Sequence, residues 1–137
     1  MVDQLIVFIT TNYLLVAAFI ILLTLLIAYE ISLSGRSLST SELIMLVNKN
    51  KDVIVDIRPV KDFTVGHIFG AINIPHDKLI ARLVELEKYK AKTIILVDAQ
   101  GRYAGINTSE MLKAGFIVAK LSGGISSWKA NNLLLVK

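Results

Sequence analysis

The first thirty residues contain an apolar stretch that constrains the chain more than any other feature. No charged residue occurs from Gln4 to Tyr29, a run of 26 positions. As an α-helix this run would be about 39 Å long at ~1.5 Å per residue, and a bilayer's hydrocarbon core is about 30 Å thick. Tyr13 and Tyr29 bound its most apolar part, where interfacial aromatic residues are expected. The stretch predicts one uncleaved transmembrane helix.

Three other interpretations of the apolar stretch fit less well. A cleaved signal peptide would begin with basic residues and would have a shorter apolar run. The only charged side chain before this apolar run is the acidic Asp3. An interfacial helix would have a polar face, and this run has none. A buried core helix would be shorter. We therefore expect residues 1–32 to be an anchor that spans the membrane at about residues 5–29.

The charges that flank the apolar run predict its orientation. No Lys or Arg precedes the run, whereas Arg36, Lys49 and Lys51 follow it. By the positive-inside rule, the part of the chain after the anchor would lie on the cytoplasmic side of the plasma membrane. Residues 33–38 are polar and contain glycine, and we expect them to be a short flexible linker.

Composition limits the chemistry of the remaining roughly one hundred residues. The chain has no cysteine, which excludes disulfides, thiolate metal sites and a cysteine nucleophile. Of its 11 acidic residues, Asp3 and Glu30 flank the apolar run, which leaves nine acidic residues against 15 Lys and Arg. The basic residues form no tract. A solvated basic surface beside anionic lipid headgroups is therefore favoured over nucleic-acid binding.

Apolar, β-branched runs alternate with helical patterns from residue 39 to the C-terminus. Strands are predicted at residues 53–55, 71–74, 93–97 and 116–121. Helices are predicted at about 39–47, 77–89 with Asp77 as its N-cap, 106–113 and 125–130, with a turn or short helix at 61–66. This alternation predicts a small parallel α/β sheet with helices on both faces, so residues 39–137 are expected to form one domain.

Two separated motifs resemble the signature of the rhodanese family. The first reads Asp-x-Arg, then Phe-x-x-Gly-His-Ile-x-Gly-Ala-x-Asn-Ile-Pro, and the second contains Gly-Gly-x-x-x-Trp. Their residues are Asp56, Arg58, Phe63, Gly66, His67, Gly70, Asn73, Pro75, Gly123, Gly124 and Trp128. The resemblance covers about residues 38–130. With the apolar helix, it implies a small single-pass rhodanese-like protein of the bacterial inner membrane.

The resemblance also directs attention to one loop, which follows the strand at residues 93–97. Ligands bind at the carboxyl ends of strands in such sheets. In rhodaneses a nucleophilic cysteine begins a six-residue loop at this point, which often reads Cys-x-x-Gly-x-Arg. Aligned on its glycine, the loop in this chain has an aspartate in the nucleophile position, a tyrosine in the last position and its arginine displaced by one. Its residues are Asp98, Ala99, Gln100, Gly101, Arg102 and Tyr103.

The resemblance implies a chemistry that Asp98 cannot perform. In the family's loop, backbone N–H groups and a helix N-terminus form a cradle for an anion, which favours the thiolate and holds a persulfide. A carboxylate cannot accept a sulfane sulfur, and no cysteine elsewhere in the chain replaces it. We expect instead that Asp98 accepts hydrogen bonds from the loop's own N–H groups and keeps the loop folded.

The other polar residues of the motifs are interpreted mainly as structural. Asp56 and Arg58 are expected to form an ion pair or hydrogen bonds that fix the loops. His67 is expected to make a structural hydrogen bond, since His76 does not lie at a spacing typical of zinc ligands. Arg102 is a candidate for binding an anionic ligand or an acidic group of a partner, or is a solvated loop residue. Trp128 is interpreted as core.

Two classes of function remain open. The first is a non-catalytic rhodanese-like module, held at the membrane by its helix, that binds a protein partner or a small anion. The second is an enzyme, either a sulfurtransferase or a hydrolase that works without cysteine. The missing cysteine favours the first class. A carboxylate nucleophile at Asp98 would need a metal site, and the sequence shows no acidic cluster for one, so no metal or cofactor is expected.

Overall fold

The N-terminal part of the computed structural model, which describes residues 1–49 and 51–137, is helical. Contacts divide the chain into two compact units, residues 1–32 and 33–137. Helix α1 spans Val2–Thr11 and helix α2 spans Tyr13–Leu33. With a mean hydropathy of 2.6, α2 is long and apolar enough to cross a bilayer. Such a helix near the N-terminus suits a membrane anchor or a signal sequence.

Asn12 interrupts the apolar region, where the sequence predicts one continuous helix. The Asn12 side-chain amide donates a hydrogen bond to the Phe8 carbonyl at 3.1 Å. Asparagine side chains compete in this way with the helical backbone, and asparagine has a low helix propensity. The longer helix also continues past the predicted end of the span, through Glu30 to Leu33.

The 33–137 unit contains a five-stranded sheet with the order β1-β5-β4-β2-β3. All pairings between these strands are parallel. Their carboxyl ends therefore share one edge, the carboxyl edge, and their amino ends share the opposite one, the amino edge. The strands are β1 (Arg36–Leu38), β2 (Asp52–Asp56), β3 (Ile72–Asn73), β4 (Thr93–Val97) and β5 (Ile117–Leu121).

Helices cover both faces of this sheet, which confirms the predicted α/β class. They are α3 (Thr40–Val47), α4 (Val60–Val65), α5 (Ala104–Lys113), α6 (Gly124–Ala130) and a 3₁₀ helix at Leu83–Tyr89. Alternate residues of β4 point to opposite faces, so that Ile94 and Leu96 pack in one core cluster and Ile95 and Val97 in the other. Burial on both faces explains the continuous apolar run of this strand.

Residues 33–38 include a strand, so the prediction that they form a flexible linker is wrong for Arg36–Leu38. This segment pairs in parallel with β5, and Leu38 is fully buried. The Ser109 hydroxyl donates a hydrogen bond to the Leu33 carbonyl at 3.0 Å. A strand of three residues with one buried side chain is too short to show a period-2 pattern, which explains why the sequence did not reveal it.

The helix predicted for residues 77–89 is also wrong in type and in extent. Turns occupy the segment before Leu83, and the 3₁₀ helix follows, so Asp77 does not cap an α-helix. Hydrogen bonds from residue i to i+3 recur there, for example from the Glu85 N–H to the Arg82 carbonyl at 3.0 Å. Leu79 and Leu86 are both buried, and packing of these leucines outweighs the helix propensity of the segment.

Gly35 offers a test of how firmly the start of the domain is held. Its φ is +71°, and an added Cβ would lie 2.4 Å from Thr108 Cγ2. We expect Gly35→Ala to lower the free energy of unfolding by about 1–3 kcal/mol. Urea unfolding of the full chain in detergent micelles, followed by the fluorescence of Trp128, measures this.

The control for this variant is Gly105→Ala in α5, where the nearest atom to an added Cβ is 3.8 Å away. Alanine is the better helix former, so this change should be neutral or stabilising by about 1 kcal/mol. Equal stability of the two variants would show that Gly35 is not held as described.

Candidate functional site

The loop after β4 is closed around the side chain of its own first residue. Asp98 is only 2% exposed. Its Oδ1 accepts a hydrogen bond from the Gly101 N–H, and its Oδ2 accepts from the N–H groups of Tyr103 at 2.8 Å and Ala104 at 3.4 Å. Hydrogen bonds to a carboxylate are stronger than neutral ones. The inward-pointing N–H groups of this loop therefore already hold an anionic group.

The same carboxylate determines where α5 begins. The helix begins at Ala104, two residues before the predicted start at Ile106. Because Asp98 accepts from two N–H groups at this helix end, it serves as a cap, and a negative charge is favourable there. A residue six positions before the helix lies outside the usual N-cap pattern, so the sequence did not indicate the earlier start.

The Gly-Gly turn of the second motif packs directly against this loop. The N–H groups of Ile125 and Ser126 donate to the carbonyls of Asp98 and Ala99, at 2.8 and 3.0 Å. Gly124 has a φ of +58°, and an added Cβ would lie 2.3 Å from the Asp98 carbonyl oxygen. Glycine is therefore required where α6 begins, because the turn must approach the loop backbone so closely.

Asp56 and Arg58 form a buried ion pair at the carboxyl end of β2. Arg58 Nη2 lies 2.7 Å from Asp56 Oδ2, and Arg58 Nε lies 3.0 Å from Asp56 Oδ1. Arg58 Nη2 also donates to the Gly66 carbonyl at 2.7 Å. The Asn73 amide donates to the carbonyls of Asp56 and Arg58, both at 3.0 Å. These groups bind one another and thereby join the first motif into one unit, as expected for structural residues.

The two histidines occupy different environments. The His67 ring stacks on Phe63 with 3.8 Å between ring centroids, and its Nδ1 lies 2.9 Å from the Phe63 carbonyl. The His76 ring instead stacks on Tyr103 of the loop, 4.1 Å between centroids. Its contact with the loop depends on tertiary folding, and no local sequence signal indicates it.

The remaining motif residues pack in the core or allow the backbone to turn. Trp128 packs in the core, and its indole N–H donates to the Leu134 carbonyl at 3.1 Å. Gly70 has a φ of +81° just before β3, and Pro75 is buried just after it. Among residues 1–49 and 51–137, no group of three or more His, Asp or Glu side chains could hold a metal ion.

The outer surface of the loop is open to solvent. Ala99, Gln100 and Arg102 are exposed, and Tyr103 is 48% exposed. Beside the loop lies a cleft of about 320 Å³ with polar and apolar walls. It is lined by Arg58, Asp62, Val65, Ala99, Ile125, Ser126 and Lys129. The site thus combines a closed interior with an exposed rim that carries cationic and aromatic groups.

Comparison with known proteins agrees with this geometry. Residues 39–131 match the rhodanese-like domain family. The chain belongs to this family. It is 38% identical over 104 residues to the uncharacterized protein YibN of Escherichia coli (strain K12), an alignment that covers 74% of this chain and 73% of YibN. The resemblance seen in the sequence motifs is therefore confirmed.

The fold is similar to that of solved structures, which include a sulfurtransferase. A thiosulfate sulfurtransferase from Pseudomonas aeruginosa superposes with a TM-score of 0.67 at 28% identity, over 74% of this chain and 20% of that one. A protein from Lactobacillus plantarum gives the same TM-score and identity, over 84% of this chain and 96% of that one. The rhodanese-like fold of this chain is thus related to that of sulfurtransferases.

The Asp98 carboxylate can be tested as the group that holds the loop. Asp98→Ala would leave N–H groups without acceptors, and we expect it to lower the free energy of unfolding by about 1–3 kcal/mol. Gln100→Ala changes an exposed side chain of the same loop and should alter stability by less than about 0.5 kcal/mol. Urea titrations of both variants followed by Trp128 fluorescence give the comparison. An Asp98→Ala protein as stable as the parent would refute this role.

Proposed function

We propose that this protein is a non-catalytic rhodanese-like module, anchored in the inner membrane by α2, that binds a protein partner through the rim of the Asp98–Tyr103 loop. One observation carries the proposal: the Asp98 carboxylate occupies the loop's interior and accepts hydrogen bonds from the N–H groups of Gly101 and Tyr103 in the loop and of Ala104 in α5. The apolar character of α2 supports the anchor, and the basic residues that follow it support a cytoplasmic domain.

The chemistry of sulfur transfer argues for a non-catalytic role. A thiolate must attack the sulfane sulfur of a donor and carry it as a persulfide, and neither this loop nor the rest of the chain contains a thiol. A carboxylate nucleophile would have to leave its hydrogen bonds to Gly101 and Tyr103 before it could attack. The buried aspartate at position 98 therefore disfavours both thiolate attack and carboxylate attack in this loop.

The filled interior also favours a protein over a small anion as the ligand. An added anion would meet a carboxylate where the loop's N–H groups converge, and like charges at short range repel. The rim offers a different kind of surface, since Arg102 is exposed and Tyr103 presents about half of its side chain. Arginine and tyrosine are enriched in protein interfaces. We therefore assign the recognition to the rim.

Site-specific crosslinking in native membranes tests the partner. A photoreactive amino acid at Gln100, on the rim, should form a discrete protein adduct, and Arg102→Glu should abolish that adduct. The same amino acid at Val84, which is 82% exposed in the 3₁₀ helix, serves as the matched control and should form no such adduct. Absence of any adduct that is specific to Gln100 would reject the rim as a binding surface.

Sulfur transfer from thiosulfate tests the absence of catalysis. The purified parent protein should show only background turnover. Asp98→Cys should gain one sulfur atom, because its thiolate attacks the sulfane sulfur, the S–S bond breaks and sulfite leaves with the electron pair. Mass spectrometry detects the adduct. Ala99→Cys is the control and should remain unmodified, because Asp98 still fills the cradle. Turnover by the parent protein would overturn the non-catalytic assignment.

A further inference from the structure

The chain enters the 33–137 unit at the amino edge of the sheet. Only Ser34 and Gly35 separate Leu33, the last residue of α2, from β1. An added Cβ on Gly35 would lie 3.3 Å from the Val118 carbonyl, near the beginning of β5. A residue spans at most about 3.6 Å, so the covalent path from Leu33 to β1 is about 10 Å. The first residues of the unit therefore lead directly into this edge of the sheet.

Lysines concentrate at this amino edge. Lys51 and Lys92 are exposed and directly precede Asp52 and Thr93, which are paired in the register of β2 and β4. Neighbouring strands are about 4.8 Å apart, so the two lysines start from adjacent positions. The Lys90 ammonium lies 5.0 Å from the ring centroid of Phe116, the residue before β5. Three cations thus follow one another across the central strands.

Two further exposed lysines extend this row. Lys49 lies in the turn after α3, and Lys113 is the last residue of α5. Both helices run antiparallel to the strands, so their C-termini lie at the amino edge. We call Lys49, Lys51, Lys90, Lys92 and Lys113 the lysine edge.

Few acidic groups oppose the lysine edge. Glu87 pairs with Lys90 at 3.5 Å, Asp52 is half-buried, and Glu110 lies one turn before Lys113 in α5. At the carboxyl edge, by contrast, the exposed Lys61 and Lys78 each lie next to an exposed aspartate in the sequence. Arg102 and Lys129 are also exposed at the carboxyl edge, so the lysine edge is distinguished by its row of five lysines and by the entry of the chain at that edge.

We propose that the lysine edge docks onto the anionic lipid headgroups of the membrane. The inference rests on the proposed anchoring by α2 and adds to it a fixed orientation of the domain. The cytoplasmic leaflet carries a negative surface potential, and each lysine near it favours the docked state by about five-fold. Docking by this edge would leave the carboxyl edge, with the Asp98–Tyr103 loop, directed away from the bilayer and open to a protein partner.

Because the chain has no cysteine, single introduced cysteines can carry spin labels that report this orientation. The probe is Ala91→Cys, an exposed position between Lys90 and Lys92, and the comparison is Gln100→Cys on the opposite edge. The full chain is reconstituted into vesicles of phosphatidylcholine, with or without phosphatidylglycerol, that contain a nickel-chelating lipid. In vesicles that contain phosphatidylglycerol, collisions of the label with nickel should be frequent at position 91 and rare at position 100. Without phosphatidylglycerol, collisions should be rare at both positions.

Variants that alter charge provide the second measurement. Lys51→Gln and Lys92→Gln should each lower the ratio of docked to undocked domain by about five-fold, whereas Lys61→Gln on the carboxyl edge should leave it unchanged. Equal collision frequencies at positions 91 and 100 would overturn the docking. Release by inorganic phosphate that exceeds release by chloride at equal ionic strength would also overturn it, in favour of a site for free phosphate.

A label at Leu22→Cys separates failure of docking from failure of the anchor. If this label lies in the hydrocarbon while positions 91 and 100 do not differ, the anchor stands and the docking is wrong. If this label is exposed to water, the proposed anchoring is wrong, and the docking that rests on it is wrong as well.

Discussion

The rest of the site depends on three backbone hydrogen bonds to one buried carboxylate, two from a loop and one from the helix that follows it. Asp98 is placed by the buried strand β4 and accepts from backbone groups up to Ala104, so that strand, loop and helix α5 are joined through a single side chain. The Gly-Gly turn then packs on the Asp98 backbone and directs α6. A buried carboxylate is tolerated only where such donors surround it, and this loop supplies them.

The first motif provides a second fixed point at the same edge of the sheet. The ion pair of Asp56 and Arg58 is buried, and breaking a pair of this kind leaves an uncompensated charge, which is strongly destabilising. Asn73 and Gly66 complete its hydrogen bonds and connect β2, β3 and the turn after α4. The motif that identifies the family therefore mostly holds backbone segments together at this edge of the sheet. It is present in this chain although the family's nucleophile is not.

Much of the fold could be predicted from the sequence because it depends on strong local signals. The apolar run of β4 predicts a buried strand, and the glycine-rich segments predict turns. Three features could not be predicted in this way. Strand β1 is short and gains its stability from pairing with β5, Leu79 and Leu86 impose turns and a 3₁₀ helix on a segment with good helix propensity, and His76 meets Tyr103 only after folding.

For the site as well, some features could be predicted from the local sequence and others depend on tertiary folding. The missing cysteine and the position of Asp98 are visible in the sequence, and they are sufficient to place an acidic group in the loop. The direction of its carboxylate depends on the curvature of the loop, for which the positive φ of Gly101 is required. The glycine is visible in the sequence, but the path that it permits is a property of the folded chain.

The covalent link between the loop and its anion has a thermodynamic consequence. Where an anion arrives from solution, the loop's occupancy follows its concentration, whereas a carboxylate on the loop itself has an effective concentration in the millimolar range or above. A free anion would have to compete with the Asp98 carboxylate at this effective concentration. Oxidants and thiol reagents have no target in this loop, because no sulfur is present. With the proposed non-catalytic role, the state of the loop would therefore not depend on sulfur supply or redox conditions.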